Sequence, residues 1–178
     1  MYKRQEEFGL DQTRYFLMRE VPFGNDGDFS RRAMIHRMNG DLANDLGNLS
    51  QRVLSMIFKN CSGVMPALPA TAAPEDSALL AAADAMLGKV RAHIDVQSFH
   101  EALRCIWEVV SDANKYVDTT APWGLKKTDP VRMGEVLAVL AETIRQAAIL
   151  LQPVMPGSAN KILDQLGVAD GPVSYTHL

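Results

Sequence analysis

The chain has 178 residues, of which 47% are apolar and 22% charged, and its formal net charge is −3. That length fits one domain, or one with a small appendage, and the apolar share suffices for a core. The charge excludes a highly basic nucleic-acid-binding tail but leaves room for a local basic patch, and no stretch reaches the roughly 18 consecutive apolar residues of a membrane span.

The first residues, Met1 to Glu7, contain no apolar run of the signal-peptide kind, so the expected location is the cytoplasm. Phe8, Leu10, Tyr15, Phe16 and Leu17 predict a short helix over 6–19. Pro22 to Asp28 is dense in turn residues and reverses the chain, with Ser30 placed as the next N-cap. Ile35, Met38, Leu42, Leu46, Leu49, Val53 and Met56 recur every three or four positions, which predicts one long helix over 31–60. Pro66, Pro69 and Pro74 lie in a connector over 63–74. A second long helix follows Pro74, with Glu75 and Asp76 in its first turn and Leu79, Leu80, Ala83, Met86, Leu87 and Val90 as its stripe. The third begins near Ser98, where Glu101 completes a capping-box pattern. It carries Phe99, Leu103, Ile106, Val110, Ala113 and Val117. Residues 118–124 read as an irregular loop. Asp129-Pro130 reads as N-cap and first helical residue, followed by Met133, Leu137, Leu140, Ile144, Ala148 and Leu151. Pro153 and Pro156 interrupt that helix, and a last one over 158–166 stops at Gly167. No segment alternates with period two, so the expected fold is all-α, an antiparallel helical bundle.

Neither His nor Cys residues group into a metal-binding or nucleophilic pattern, and no phosphate loop or G-x-S-x-G occurs. Cys61 and Cys105 read as small buried hydrophobes in a reducing compartment. Two local features stand out. Asn44, Asn48 and Arg52 share one flank of the long helix, roughly 120° from its apolar centre at about 100° per residue. Asn supplies a donor and an acceptor, and Arg a planar fork of donors, a set suited to a base edge but equally to an inter-helix polar stripe. Trp123, between Pro122 and Gly124, is either a plug over the core or an exposed stacking platform. Residues 30–60 carry a net +3 and residues 114–132 a net +2 within an acidic chain. Lys126, Lys127 and Arg132 are the candidate phosphate contacts.

Several motifs, in order, resemble one family. Phe8-Gly9-Leu10-Asp11, Arg14-Tyr15-Phe16-Leu17, Arg19 to Gly24 and Asp26 to Ser30 are followed by Asp41 to Leu49 and Arg52. Asn114-Lys115-Tyr116, Ala121-Pro122-Trp123 and Gln152 to Pro156 complete the series. Together they resemble the C-terminal anticodon-binding region of bacterial methionyl-tRNA synthetases, over about residues 6–170. The resemblance implies a bundle of the class I synthetase anticodon-binding type over 30–170. Residues 6–29 would then end the stem-contact region that leads from a catalytic domain. It implies that Asn48 and Arg52 hydrogen-bond the first anticodon base, a cytosine, that Trp123 stacks on it, and that Pro122 shapes the turn.

The H-I-G-H-type and K-M-S-K-S-type motifs of class I synthetases and the family's zinc-knuckle cysteines do not occur in this sequence. ATP, magnesium and zinc are therefore expected in upstream sequence of the parent enzyme, with no catalytic residue, metal or cofactor in this chain. The implied partners are methionine acceptor and initiator tRNA and the catalytic domain of the same enzyme, with neither DNA nor membrane. Residues 1–5 and 175–178 depart from the family pattern and read as foreign ends. The competing reading is a helical protein-interaction module without RNA binding, in which Trp123 plugs the core and Asn48 and Arg52 cap a neighbouring helix.

Overall fold

The computed structural model describes residues 2–27 and 29–167. Met1, Asp28 and residues 168–178 lie outside them, and with them the reading of residues 175–178 as foreign. Among the described residues all regular structure is helical. The chain runs through α1 (Tyr2–Phe8), α2 (Leu10–Glu20), α3 (Arg31–Arg37), a π-helical segment (Met38–Gly47) and α4 (Asn48–Asn60). It continues through α5 (Pro74–Asp95), α6 (Phe99–Thr120), α7 (Pro122–Thr128), α8 (Pro130–Leu151) and α9 (Pro156–Gln165).

The helix expected over 6–19 is two helices, because Gly9 takes φ 92° between them. Ser30 caps α3 by accepting from the Ala33 N–H at 3.3 Å, and Asp129 caps α8 by accepting from the Arg132 N–H at 2.9 Å. The capping box expected at Ser98 does not form. Its hydroxyl caps nothing, and Glu101 turns instead to the Arg104 guanidinium.

Helices α4, α5, α6 and α8 enclose the core. The α5–α6 pair is an antiparallel hairpin closed by residues 96–98. The expected stripe of α8 is buried throughout, but α8 also buries the unbroken run from Val136 to Ala141, so it is the central helix rather than an amphipathic one. The α5 stripe is buried at Leu79, Ala83, Met86 and Val90, whereas Leu87 faces solvent.

Residues 31–60 are helical but not one α-helix. Ten residues adopt wide π turns, whose carbonyls are drawn toward side chains of α6. The Trp107 indole N–H donates to the Asp41 carbonyl at 3.2 Å, and the Asn114 amide donates to the Asp45 carbonyl at 3.3 Å. The wide turns shift the helical phase, so Met34 (0% exposed) occupies the buried position expected of Ile35.

The N-terminal piece joins the same core. Tyr15 and Phe16 are buried, and the Tyr15 ring meets Trp107 at 4.7 Å. Arg14 donates to the carbonyls of Pro153 and Val154 just past the end of α8, and Asp11 accepts from the Ser158 N–H in the first turn of α9. Phe23, by contrast, is exposed apart from its edge-to-face contact with Phe99.

Candidate nucleic-acid interface

The loop expected over 118–124 is instead a helical corner. α6 continues to Thr120, and α7 starts at Pro122, where the missing N–H and fixed φ of proline suit a first helical residue. Between them Ala121 adopts φ 43° and ψ 58°, a left-handed conformation that costs a residue with a Cβ about 1–3 kcal/mol. This single strained residue turns the chain sharply. Pro122 is buried under the corner, and Trp123 is carried outward on the first turn of α7.

Trp123 is 52% exposed, which rules out the core plug. The buried tryptophan is Trp107, which lies in α6 next to the buried Ile106. The Arg52 guanidinium lies 5.4 Å from the centroid of the Trp123 ring, although the two residues are 71 positions apart in sequence. Asn48 is exposed one turn earlier on α4. Asn44 falls inside the π segment, where the regular four-residue spacing behind the expected stripe no longer holds.

An acid missed at the sequence level completes the site. Asp118, in the last turn of α6, accepts from Arg52 at 2.8 Å. Both side chains are substantially exposed. Such a pair contributes about 0.2–1 kcal/mol, and the cation–π contact about 0.5–1 kcal/mol. Arg52 is therefore pre-oriented by two weak contacts, either of which an incoming ligand can replace. The aspartate lies in a run of polar residues, and nothing in its spacing marks it as the partner of Arg52.

Lys126 and Lys127 follow Trp123 by three and four positions, on the same side of α7. Both are exposed and form no ion pair among the described residues. Arg132 does not belong with them. Its guanidinium faces inward and donates to both oxygens of the buried Asp76 carboxylate, at 2.6 and 2.7 Å. A phosphate would have to compete with a buried carboxylate that already holds two of its nitrogens. Arg132 is withdrawn from the phosphate-contact set for that reason.

The geometry as a whole is a half-exposed aromatic face, an oriented guanidinium beside it, an exposed amide one turn away and two unpaired ammonium groups. Such a set can stack a base, bond its edge and attract its phosphates. Among the described residues no group of three or more His, Cys, Asp or Glu side chains could hold a metal ion, and no helix is long and apolar enough to cross a membrane.

Comparison with known proteins bears on the same segments. A family model described as the anticodon binding domain of methionyl tRNA ligase matches residues 66–175, and one described as tRNA synthetases class I (M) matches residues 1–54. Asn48 and Arg52 fall in the second match and Trp123 in the first, so the site lies across both. Methionine–tRNA ligase of Brucella suis biovar 1 (strain 1330) is 55% identical over 163 residues, which are 92% of this chain and 32% of that protein. The enzyme of Rhizobium meliloti (strain 1021) is 51% identical over 97% of this chain and 33% of its own length. Mycobacterium tuberculosis methionyl-tRNA synthetase in its apo form superposes with a TM-score of 0.93 at 49% identity, over 98% of this chain and 36% of that one. Its complex with methionyl-adenylate gives 0.92 at 51% identity, over 94% and 34%. The chain thus spans about a third of the length of the relatives it matches.

Proposed function

Because the chain belongs to the methionyl-tRNA ligase family, as its anticodon-binding domain, we propose that the corner between α6 and α7, together with α4, binds the anticodon stem-loop of methionine tRNAs. The carrying observation is the half-exposed Trp123 ring with Arg52 oriented 5.4 Å from its centroid. Trp123 stacks on the first anticodon base. Asn48 and Arg52 bond its edge and choose cytosine. Lys126 and Lys127 meet the phosphate backbone, and Pro122 holds the turn. The exposure of Trp123 favours this over the protein-interaction module, which needed a core plug.

In the parent enzyme, methionine activation with ATP, and the magnesium and zinc that accompany it, belong to sequence outside this chain. The complex of a mycobacterial relative with methionyl-adenylate supports ATP-dependent methionine activation by the parent enzyme. Residues 6–29 form the end of the stem-contact region and residues 30–170 the anticodon bundle. The enzyme works in the cytoplasm on acceptor and initiator methionine tRNA.

Titration with four stem-loops differing at the first anticodon base tests the reading. Stacking contributes about 1–3 kcal/mol per base and is nearly blind to base identity, so Trp123→Ala should weaken all four about tenfold or more. A base edge left without its partner costs about 1–3 kcal/mol, so Arg52→Ala should weaken the cytosine stem-loop most and narrow the preference. Equal binding of all four by the unsubstituted chain would remove base reading from this face.

A further inference from the structure

Asp76 is a fully buried carboxylate on α5, at 0% exposure, with four donors around it. Tyr116 donates its hydroxyl at 2.6 Å, Arg132 donates through both terminal nitrogens, and the Ala73 N–H donates at 3.2 Å. Tyr116 lies in the last turns of α6, and Arg132 lies in the first turn of α8. The stretch between these two donors holds Asp118, the strained Ala121 and the whole of α7 with Trp123. One carboxylate on a third helix therefore grips both ends of the segment that presents the aromatic face. A left-handed residue bearing a Cβ persists only where its surroundings over-determine it, and these two grips bracket a corner that also holds the buried Pro122 and backbone hydrogen bonds from Ala121 to Val117 and from Gly124 to Ala121.

From this arrangement we infer that Asp76 is a positioning residue for the RNA-binding face, fixing Trp123 and the Asp118–Arg52 pair through Tyr116 and Arg132. The inference rests on the anticodon-binding reading above. Asp76 touches neither Trp123 nor Arg52, and its effect passes through the two ends of the corner. A carboxylate is required because every neighbour is a donor. An asparagine would turn an N–H toward an Arg132 nitrogen in either orientation, beside Tyr116 or the Ala73 N–H, and lose one acceptor. With a grip released, Ala121 can relax from its left-handed conformation, and α7 swings with it.

The test uses the full chain carrying Trp107→Phe, so that Trp123 is the sole tryptophan. In that background Asp76→Asn and Tyr116→Phe are compared with Val90→Ala, a buried α5 substitution outside the network. Iodide quenching and emission of Trp123 are read without RNA, and affinity is read with the cytosine stem-loop, both well below each melting temperature. Asp76→Asn should retain its helical circular dichroism, alter Trp123 quenching and bind about tenfold more weakly. Tyr116→Phe should do the same to a smaller degree, while Val90→Ala should lose melting temperature but keep native quenching and affinity. Native quenching and affinity in both network variants would overturn the inference, as would an equal loss of affinity in Val90→Ala. If Asp76→Asn does not fold, Tyr116→Phe decides by the same criteria. If the unsubstituted chain shows no cytosine preference, the RNA reading fails, and the quenching measured without RNA still decides whether Asp76 positions Trp123.

Discussion

On the proposed anticodon-binding function, two demands meet at Trp123. An aromatic ring half open to water loses part of the hydrophobic stabilisation that burial would bring, yet a base can stack only on a ring that is open. Arg52 reconciles them by lying against the ring in the free protein, held there weakly by Asp118. Shape matters here as much as charge. Arg52→Lys keeps the positive charge but loses the planar fork that stacks on an aromatic face and bonds a base edge at two points. The cytosine preference of Arg52→Lys should therefore fall nearly to that of Arg52→Ala, while the slope of affinity against salt stays close to the unsubstituted value. Stem-loop titrations at several salt concentrations measure both. Lys126→Ala and Lys127→Ala should behave in the opposite way, weakening every sequence about equally and flattening the salt slope by up to about one unit each.

Among the elements, the π segment departs most from regular geometry. Its wide turns bring the Leu42 carbonyl so near Gly47 that a Cβ added there would lie 2.8 Å from that oxygen. In an ordinary exposed helix, glycine to alanine gains about 1 kcal/mol. At Gly47 the sign should reverse, with Gly47→Ala destabilising the chain in urea melts, whereas Gly40→Ala, which meets nothing within 4 Å, should not. The three-four periodicity of residues 31–60 announces a helix correctly but is blind to this segment. A pattern of apolar spacings reports which residues face inward, whereas the π turns depend on carbonyls of Asp41 and Asp45 bonded by Trp107 and Asn114, more than 60 residues away.

Across the whole molecule, Asp76 ties α5, α6 and α8 together, and its charge makes that tie pH-dependent. The Arg132 hydrogen bonds hold its carboxyl below the usual carboxylate range, with Tyr116 and the Ala73 N–H acting in the same direction and burial opposing them. A carboxylate whose folded pKa is lowered stabilises the fold above its unfolded value, near 4, and loses that contribution as pH falls through the lowered folded value. Glu142, held below its ordinary value chiefly by the Arg145 hydrogen bonds, acts in the same direction. Urea melts from pH 7 down to pH 2.5 should show a falling acid limb, and Asp76→Asn should start lower at pH 7 and flatten it. The chain alone should also fail in methionine-dependent pyrophosphate exchange, since neither nucleotide-site motif occurs in it. Exchange by the purified chain would contradict that expectation.

The sequence by itself determined the helical class, most of the buried stripes, the caps at Ser30 and Asp129, and the identity of Asn48, Arg52 and Trp123 as the side chains to watch. These are local or periodic properties, set by residues a few positions apart or by motif order along the chain. Only the tertiary structure decided that Trp123 is exposed rather than a plug, that residues 118–124 form a helical corner, and that Arg132 faces inward. The same holds for the joining of α4 to the α6–α7 corner by Asp118. Each of these depends on which groups from distant segments arrive at one point. Asp76 shows the difference most directly. Its place in the first turn of α5 is legible in the sequence, but its burial among donors from α6 and α8 exists only once those helices have packed.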